Sequence, residues 1–355
     1  MTHADIFTYP AFQPSKPLAE PFGFAVIGAA HGHIYEMCNK LIREGAELKY
    51  IYDRDPKVLA DLAKRYPQAH VCEENEILDK QDIRLIASAA VPARRADIGV
   101  RAMRAGKDYF VDKAPMTTLE QVAEVRRVCA ETGRKCFVFY GESVNNESTI
   151  FALDLVRRGI IGDVFHVTGS APHRLNLPSR PEWFFRRENT GGILIDLVCH
   201  QLHQFLEFAD EDTARVDLGR VANHRHPQFP GFDDFGDTDC TTPKGVTGHF
   251  HVDWFTSDGL STWGDSRMVI HGTKGTIELR KNCDIARDCR GSNVYVVTEE
   301  GEFYENVTGK VPMHYFSDLV SDCLNRTDTA MNPERAFAAI EIAIRAQMNA
   351  LSRKG

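Results

Sequence analysis

The sequence predicts a two-domain α/β chain, with a doubly wound parallel sheet first and a mostly antiparallel sheet after it. Short apolar runs alternate with helical periodicities five times between residues 24 and 140, as parallel strands joined by crossover helices require. After Tyr140 the rhythm changes to alternating segments joined by tight turns, which suits antiparallel pairing. The 355 residues suffice for two domains, at about 100–200 residues each.

Residues 1–21 carry four prolines and no sustained periodicity, and read as an arm that starts no domain. Phe24–Gly28 is a short apolar run closed by glycine, a strand buried on both faces. Ile34–Glu44 has helical spacing and ends at Gly45. Strand Leu48–Tyr52, helix Pro56–Arg65, strand Arg84–Ser88 and helix Ala93–Ala105 come next. Strand Asp108–Val111, helix Leu119–Thr132 and strand Cys136–Tyr140 complete a first domain at 22–141. The second, 142–355, begins with helices at Ser148–Arg158 and Ile193–Phe208. Strands are expected at Val246–Phe255, Arg267–His271, Thr276–Leu279 and Val294–Thr298, with a turn at Gly272–Gly275. Residues 210–245, rich in Asp, Pro and Gly, read as a long loop. Asn332-Pro333 starts a last helix whose apolar stripe is Phe337, Ile340, Ile344, Met348 and Leu351.

Hydrophobic residues make up 43% and charged residues 26%, an ordinary globular balance. With 42 basic and 50 acidic residues the net charge is −8 and no Lys/Arg run stands out, which argues against nucleic acid and anionic membrane as partners. No apolar stretch reaches the roughly 18 residues of a membrane helix, and no basic-then-apolar leader is seen. Nine cysteines without a CxxC pair suit reduced thiols. A soluble cytoplasmic protein is expected.

Two stretches carry chemistry. Gly28-Ala-Ala-His-Gly-His33 lies where a doubly wound sheet places its phosphate loop, between the first strand and helix. Gly28 suits the tight turn, while Ala30 and His33 stand at the other two glycine positions of G-x-G-x-x-G. Asp53 ends the second strand, where a carboxylate binds the adenosine ribose and repels a 2′-phosphate. NAD is therefore expected over NADP, with Arg54 leaving NADP open. His31 and His33 either hydrogen-bond phosphate or substrate, or cap the helix.

The second stretch is a pair of segments. Asp112-Lys113-Ala114-Pro115 comes after the fourth strand at the carboxyl edge of the sheet, where a lysine can orient an oxygen at a reacting carbon. Gly191-Gly192 opens a helix on which Asp196, His200 and His203 fall at i, i+4 and i+7, one face in an α-helix. Ionisable groups on an otherwise apolar helix need partners or a cavity, because each unpaired burial costs roughly 1–3 kcal/mol.

Together these residues resemble the glucose–fructose oxidoreductase / inositol dehydrogenase / rhizopine catabolism (Gfo/Idh/MocA) family over about residues 22–350. The resemblance implies a Rossmann domain followed by an α/β domain with a large open sheet. It also implies hydride transfer between NAD(P) and a hydroxyl-bearing carbon of a sugar, cyclitol or related polyol. Lys113 matches the lysine that binds the reacting oxygen, His200 the general acid/base and Asp196 the carboxylate that tunes the site. The implied cofactor contacts are Gly28, Ala30, His31, Gly32, His33, Asp53, Arg54, Ala89, Pro92, Asp112 and Lys113. A homodimer or homotetramer through the C-terminal sheet is also implied.

Three positions depart from the family pattern. Ala114 separates Lys113 from Pro115, Asp112 replaces a glutamate, and His203 stands where many members carry a substrate-holding aspartate. The loop before the glycine pair offers His173, Arg174, Arg180 and Trp183 for substrate recognition, with His203 added from the helix. His224/His226 and His249/His251 invite a metal reading, but strand alternation accounts for His249/His251 and no metal is expected. Two other functions fit the resemblance: a glycosidase using tightly bound NAD transiently, and a non-catalytic NAD or sugar sensor.

Overall fold

The computed structural model describes residues 2–11, 18 and 20–353. Its first sheet has six parallel strands in the order β3-β2-β1-β4-β5-β6. These are β1 Gly23–Ile27, β2 Glu47–Tyr52, β3 His70–Val71, β4 Leu85–Ser88, β5 Asp108–Asp112 and β6 Cys136–Phe139. Every residue of β1, β4, β5 and β6 is buried, because helices cover both faces of a parallel sheet. The helices His33–Arg43, Pro56–Arg65, Pro92–Arg104 and Leu119–Thr132 occupy the expected positions to within a residue or so. The short β3 and the helix Glu74–Asp79 add to the expected elements.

The second sheet has eight strands in the order β16-β15-β12-β11-β7-β10-β9-β8. They are β7 Val164–Pro172, β8 Arg215–Ala222, β9 Phe235–Thr241, β10 Thr247–Asp253, β11 Arg267–Gly272, β12 Gly275–Arg280, β15 Asn293–Thr298 and β16 Gly301–Asn306. Between β12 and β15, the two-residue strands β13 Cys283–Asp284 and β14 Cys289–Arg290 pair with each other. Only the β7–β10 pair of the large sheet is parallel. The helices Glu147–Arg157, Cys199–Ala209 and Pro333–Ser352 cover one face, and the other presents the half-buried His166, Thr168 and Ser170 of β7 and the exposed Val297 of β15.

The structure corrects several expectations. Residues 210–245 are no single loop, because β8 and β9 run through them as the edge of the large sheet. β7, unread in the sequence, lies at the centre of that sheet. Met348 is 55% exposed and leaves the apolar stripe, whose Phe337, Ile340 and Ile344 are buried. The N-terminal arm docks, with Ile6 fully buried and Phe7 stacked on Phe151 at 5.5 Å. Residues 12–17 and 19 of that arm lie outside the described residues.

The last helices tie the two domains together. Helix Tyr315–Asn325 places the Tyr315 hydroxyl 2.9 Å from the Val138 carbonyl of β6, and Arg326 pairs with Asp108 of β5 at 2.6 Å. Tyr140 donates to the Ala336 carbonyl at 2.9 Å. The first sheet is thereby held against the second domain. All nine cysteines are free, and among the described residues no helix is long and apolar enough to cross a membrane.

Candidate active site

The turn after β1 is built for a close approach. Gly28 has φ +85°, and a Cβ there would lie 2.5 Å from the Ala90 Cβ, so a side chain is excluded by conformation and by space. The Asp53 carboxylate accepts from the Ala29 N–H at 2.6 Å and the Asp55 N–H at 2.8 Å, which fixes it beside the turn. Gly28, Ala30, Asp53, Arg54, Ala90 and Val91 line a cavity of about 340 Å³. The helix His33–Arg43 starts here and turns the positive end of its dipole to the cavity. Glycine turn, ribose-height carboxylate and helix end together fit the adenosine and pyrophosphate of a dinucleotide. Ala89 is fully buried behind the turn, where its carbonyl accepts from the His31 N–H at 2.9 Å.

His31 and His33 converge on one acid. Their Nδ1 atoms lie 2.9 and 2.8 Å from the two oxygens of Asp112, which is fully buried and also pairs with Arg95 at 3.1 Å. Burial would raise that carboxyl, but His33, Arg95 and His31 outweigh it and hold it well below the carboxylate range. Arg95, itself buried, donates to the Asp112, Lys113 and Ala114 carbonyls and braces the loop after β5. The Lys113–Ala114 peptide is cis. Asp112 thus spends its charge inside the fold, and His31 and His33, rather than Asp112, line the adjoining cavities. Gly32 lines the smaller of these, with Arg180 and Trp183.

Lys113 and Asp196 meet where the domains face each other. Lys113 Nζ lies 2.9 Å from Asp196 Oδ1 and donates to the Asp196 carbonyl at 3.2 Å. Burial would raise the Asp196 carboxyl, and Lys113 draws it below its usual range. His200 is 3% exposed on the same cavity wall, with Nδ1 buried and without a partner. Burial and the Lys113 charge push its imidazole well below 6.5.

The helix carrying these groups opens at Gly192 (φ +109°), where a Cβ would sit 2.5 Å from Gln347; the Gln347 side-chain Oε1 instead accepts from the Leu194 N–H at 3.1 Å. Leu194–Val198 is a π-helical turn before the α-helix Cys199–Ala209. Its wider turn changes the angular phase of the α-helical residues beyond it, so the one-face reading fails for His203. That ring stacks on Tyr140 at 4.9 Å, and its Nδ1 shares a hydrogen bond with Ser143 at 2.8 Å. His203 lies outside the cavity lined by Asp196 and His200.

This cavity holds about 470 Å³ and takes in Lys113, Asp196, His200, His31, His33 and Pro92. His173, Arg174, Arg180 and Trp183 also line it. Arg174 donates to the Ser257 and Leu260 carbonyls, and Arg180 stacks on Phe184 and Trp254 at 4.5 and 5.0 Å. Trp183 reaches the dinucleotide cavity as well, so the two cavities adjoin. Sequence reasoning missed Glu142, Lys281, Trp254 and Trp263 on the cavity wall. No spacing marks them, since each comes from a separate turn or strand end. Among the described residues one grouping brings three metal-type donors together, His31, His33 and Asp112, where Arg95 already supplies the balancing positive charge. His226, His249 and His251 pair separately with Asp234, Asp239 and Asp253 and do not join His200.

Fold and site define the class of NAD-binding Rossmann oxidoreductases, and comparison with known proteins agrees. Residues 22–140 match the model of the oxidoreductase family with an NAD-binding Rossmann fold, and residues 151–278 match the GFO/IDH/MocA C-terminal domain. The chain belongs to the GFO/IDH/MocA family. A crystal structure described as a candidate oxidoreductase from Erwinia carotovora atroseptica SCRI1043 is 43% identical, with TM-score 0.90, over 93% of this chain and 98% of that one. A D-xylose dehydrogenase of Paenarthrobacter nicotinovorans is 24% identical over 153 residues, 41% of this chain and 39% of that protein. A glycosyl hydrolase family 109 protein of Shewanella pealeana is 24% identical over 188 residues, 46% of this chain and 40% of that protein. The chain thus aligns with about two fifths of the length of these curated relatives.

Proposed function

We propose that the chain is an NAD-dependent dehydrogenase acting on a hydroxyl-bearing carbon of a sugar, cyclitol or related polyol. The observation that carries this is the Lys113–Asp196 pair at 2.9 Å beside the buried His200, in a cavity adjoining the Gly28–Asp53 turn. When bound, the nicotinamide supplies the hydride acceptor. Gly28, Ala30, Asp53 and the start of the His33–Arg43 helix would hold the dinucleotide. The substrate hydroxyl would lie between Lys113 and His200. His200, kept neutral by burial, accepts the hydroxyl proton. Lys113 stabilises the negative charge that develops on the oxygen, and Asp196 fixes the ammonium in place.

Asp53 favours NAD because its carboxylate repels a 2′-phosphate. Titration with NADH and NADPH tests this: NADH should bind the more tightly, and Asp53→Ala should weaken NADH and narrow the gap. Equal affinities in the unmodified protein would remove Asp53 from the ribose site. The reading includes self-association through the open face of the eight-stranded sheet, which presents Tyr295 and Val297.

The glycosyl hydrolase relatives support a second reading, in which held NAD is reduced and reoxidised within one glycoside cleavage. Net accumulation of NADH during turnover favours the dehydrogenase, and product without accumulation favours the glycosidase.

A further inference from the structure

The wall of the substrate cavity carries a second lysine–carboxylate pair that hydride transfer does not employ. Lys281, at the turn after β12, is 4% exposed, and its Nζ donates to Gln204 Oε1 and lies 3.7 Å from Glu142 Oε2. Glu142 comes from a distant part of the chain, the short helical turn after β6. Its Oε1 accepts from Ser266 Oγ at 3.4 Å and lies 3.8 Å from His173 Nε2. Its Oε2 is buried without a hydrogen-bond partner. Burial lowers the Lys281 ammonium to about 8, against the pull of Glu142.

Such a pair is an expensive way to join two distant segments of the chain. A buried ion pair commonly stabilises no better than apolar residues of the same volume, and a partnerless buried carboxylate oxygen adds a further penalty. Its position suggests why it is there. Gln204 lies one helical turn beyond His200, about 6 Å along the axis, and its side-chain amide donates to the His200 carbonyl at 2.9 Å. The pair therefore lies along the same cavity wall as the acid/base. An anion there would meet Glu142 and a cation would meet Lys281. A hydroxyl, which both donates and accepts, satisfies the two together.

We propose that Glu142 and Lys281 form a specificity site that reads neighbouring hydroxyls on the end of the substrate remote from the reacting carbon. Glu142 Oε2 accepts from one hydroxyl, and a proton of Lys281 is donated to the same or the next oxygen. This deepens the dehydrogenase reading and rests on it.

The test uses the NAD-loaded full chain with D-glucose, D-xylose and myo-inositol as probes, scored by NADH formation and by quenching of cavity tryptophan fluorescence. Lys281→Met and Glu142→Gln should each raise KM for the accepted polyol about ten- to hundred-fold. The kcat should stay within a few-fold and NADH affinity should be unchanged. In the unmodified protein at least one monodeoxy analogue of the accepted polyol should bind more weakly than the parent. Glu142→Gln should not discriminate further against that analogue. Unchanged KM in both variants, or equal binding of parent and every deoxy analogue, would overturn the specificity site while leaving the dehydrogenase reading intact. Failure of the unmodified protein to bind or oxidise any of the three polyols would overturn the polyol reading, and this inference with it.

Discussion

Replacing Lys113 by methionine separates the lysine's catalytic role from its structural one. The change keeps the side-chain length and removes the charge from a site where Lys113 and Asp196 are 6% and 13% exposed. Losing one preorganised stabiliser of a developing oxyanion lowers kcat by about 10²–10³, and that is the expected loss. The fold responds as well. Breaking a buried pair from one side costs about 3–5 kcal/mol, because Asp196 keeps a charge without a partner. With Lys113 gone, burial raises the Asp196 carboxyl above its unfolded value. The variant therefore regains stability as pH falls and the acid protonates, and is weakest at neutral and higher pH. Lys113→Met/Asp196→Asn should recover most of the stability and none of the turnover. Steady-state kinetics, NADH titration and urea unfolding at two pH values measure all three. Near-normal turnover in the single variant, or a stability loss the double variant fails to recover, would refute this account of the pair.

Other parts of the site lend themselves to similar tests. His200→Ala should lower kcat by about 10²–10⁴, and because burial holds the imidazole well below 6.5, the unmodified kcat/KM profile should run flat through pH 6.5. A break at 6.5 would assign the proton to another group. Gly28→Ala should cost about 1–3 kcal/mol of stability and most of the NADH affinity, since φ is +85° and Ala90 lies 2.5 Å from the new Cβ; urea unfolding and NADH titration showing neither loss would contradict it. Burial takes His203 from 6.5 to about 3, so it is neutral when folded and protonates when unfolded below 6.5. Stability is then full above pH 6.5 and falls towards pH 3, and His203→Asn should make the loss between pH 7 and pH 5 smaller by about 2 kcal/mol. Identical acid profiles in urea unfolding would contradict that.

How legible each element is in the sequence depends on how it is buried. β1, β4, β5 and β6 lie under helices on both faces, so they appear as unbroken apolar runs. β7 alternates half-buried His166, Thr168 and Ser170 with the small Gly169 and Ala171, a pattern that carries little hydrophobic signal. β8 is an edge strand with Arg215, Asp217 and Arg220, charges that guard an edge and mimic a loop. Lys113, Asp196 and His200 stand out because a lysine at a strand end and ionisable groups on an apolar helix are rare in the core. His203 is misplaced by the sequence pattern because counting residues at the α-helical period cannot register a π-turn. Glu142 and Lys281 give no warning, since nothing local links two residues that stand far apart in the sequence and meet only in the fold.

The central claim is hydride transfer between NAD and a polyol, and its most direct test is to mix the purified protein with NAD and the three polyols. The near-ultraviolet absorbance of reduced nicotinamide is then monitored. The account predicts that it rises with at least one polyol in the unmodified protein and that Lys113→Met, still binding NADH, removes nearly all of the rise. A rise that persists undiminished in Lys113→Met, or a chain that binds neither NADH nor NADPH, would contradict it.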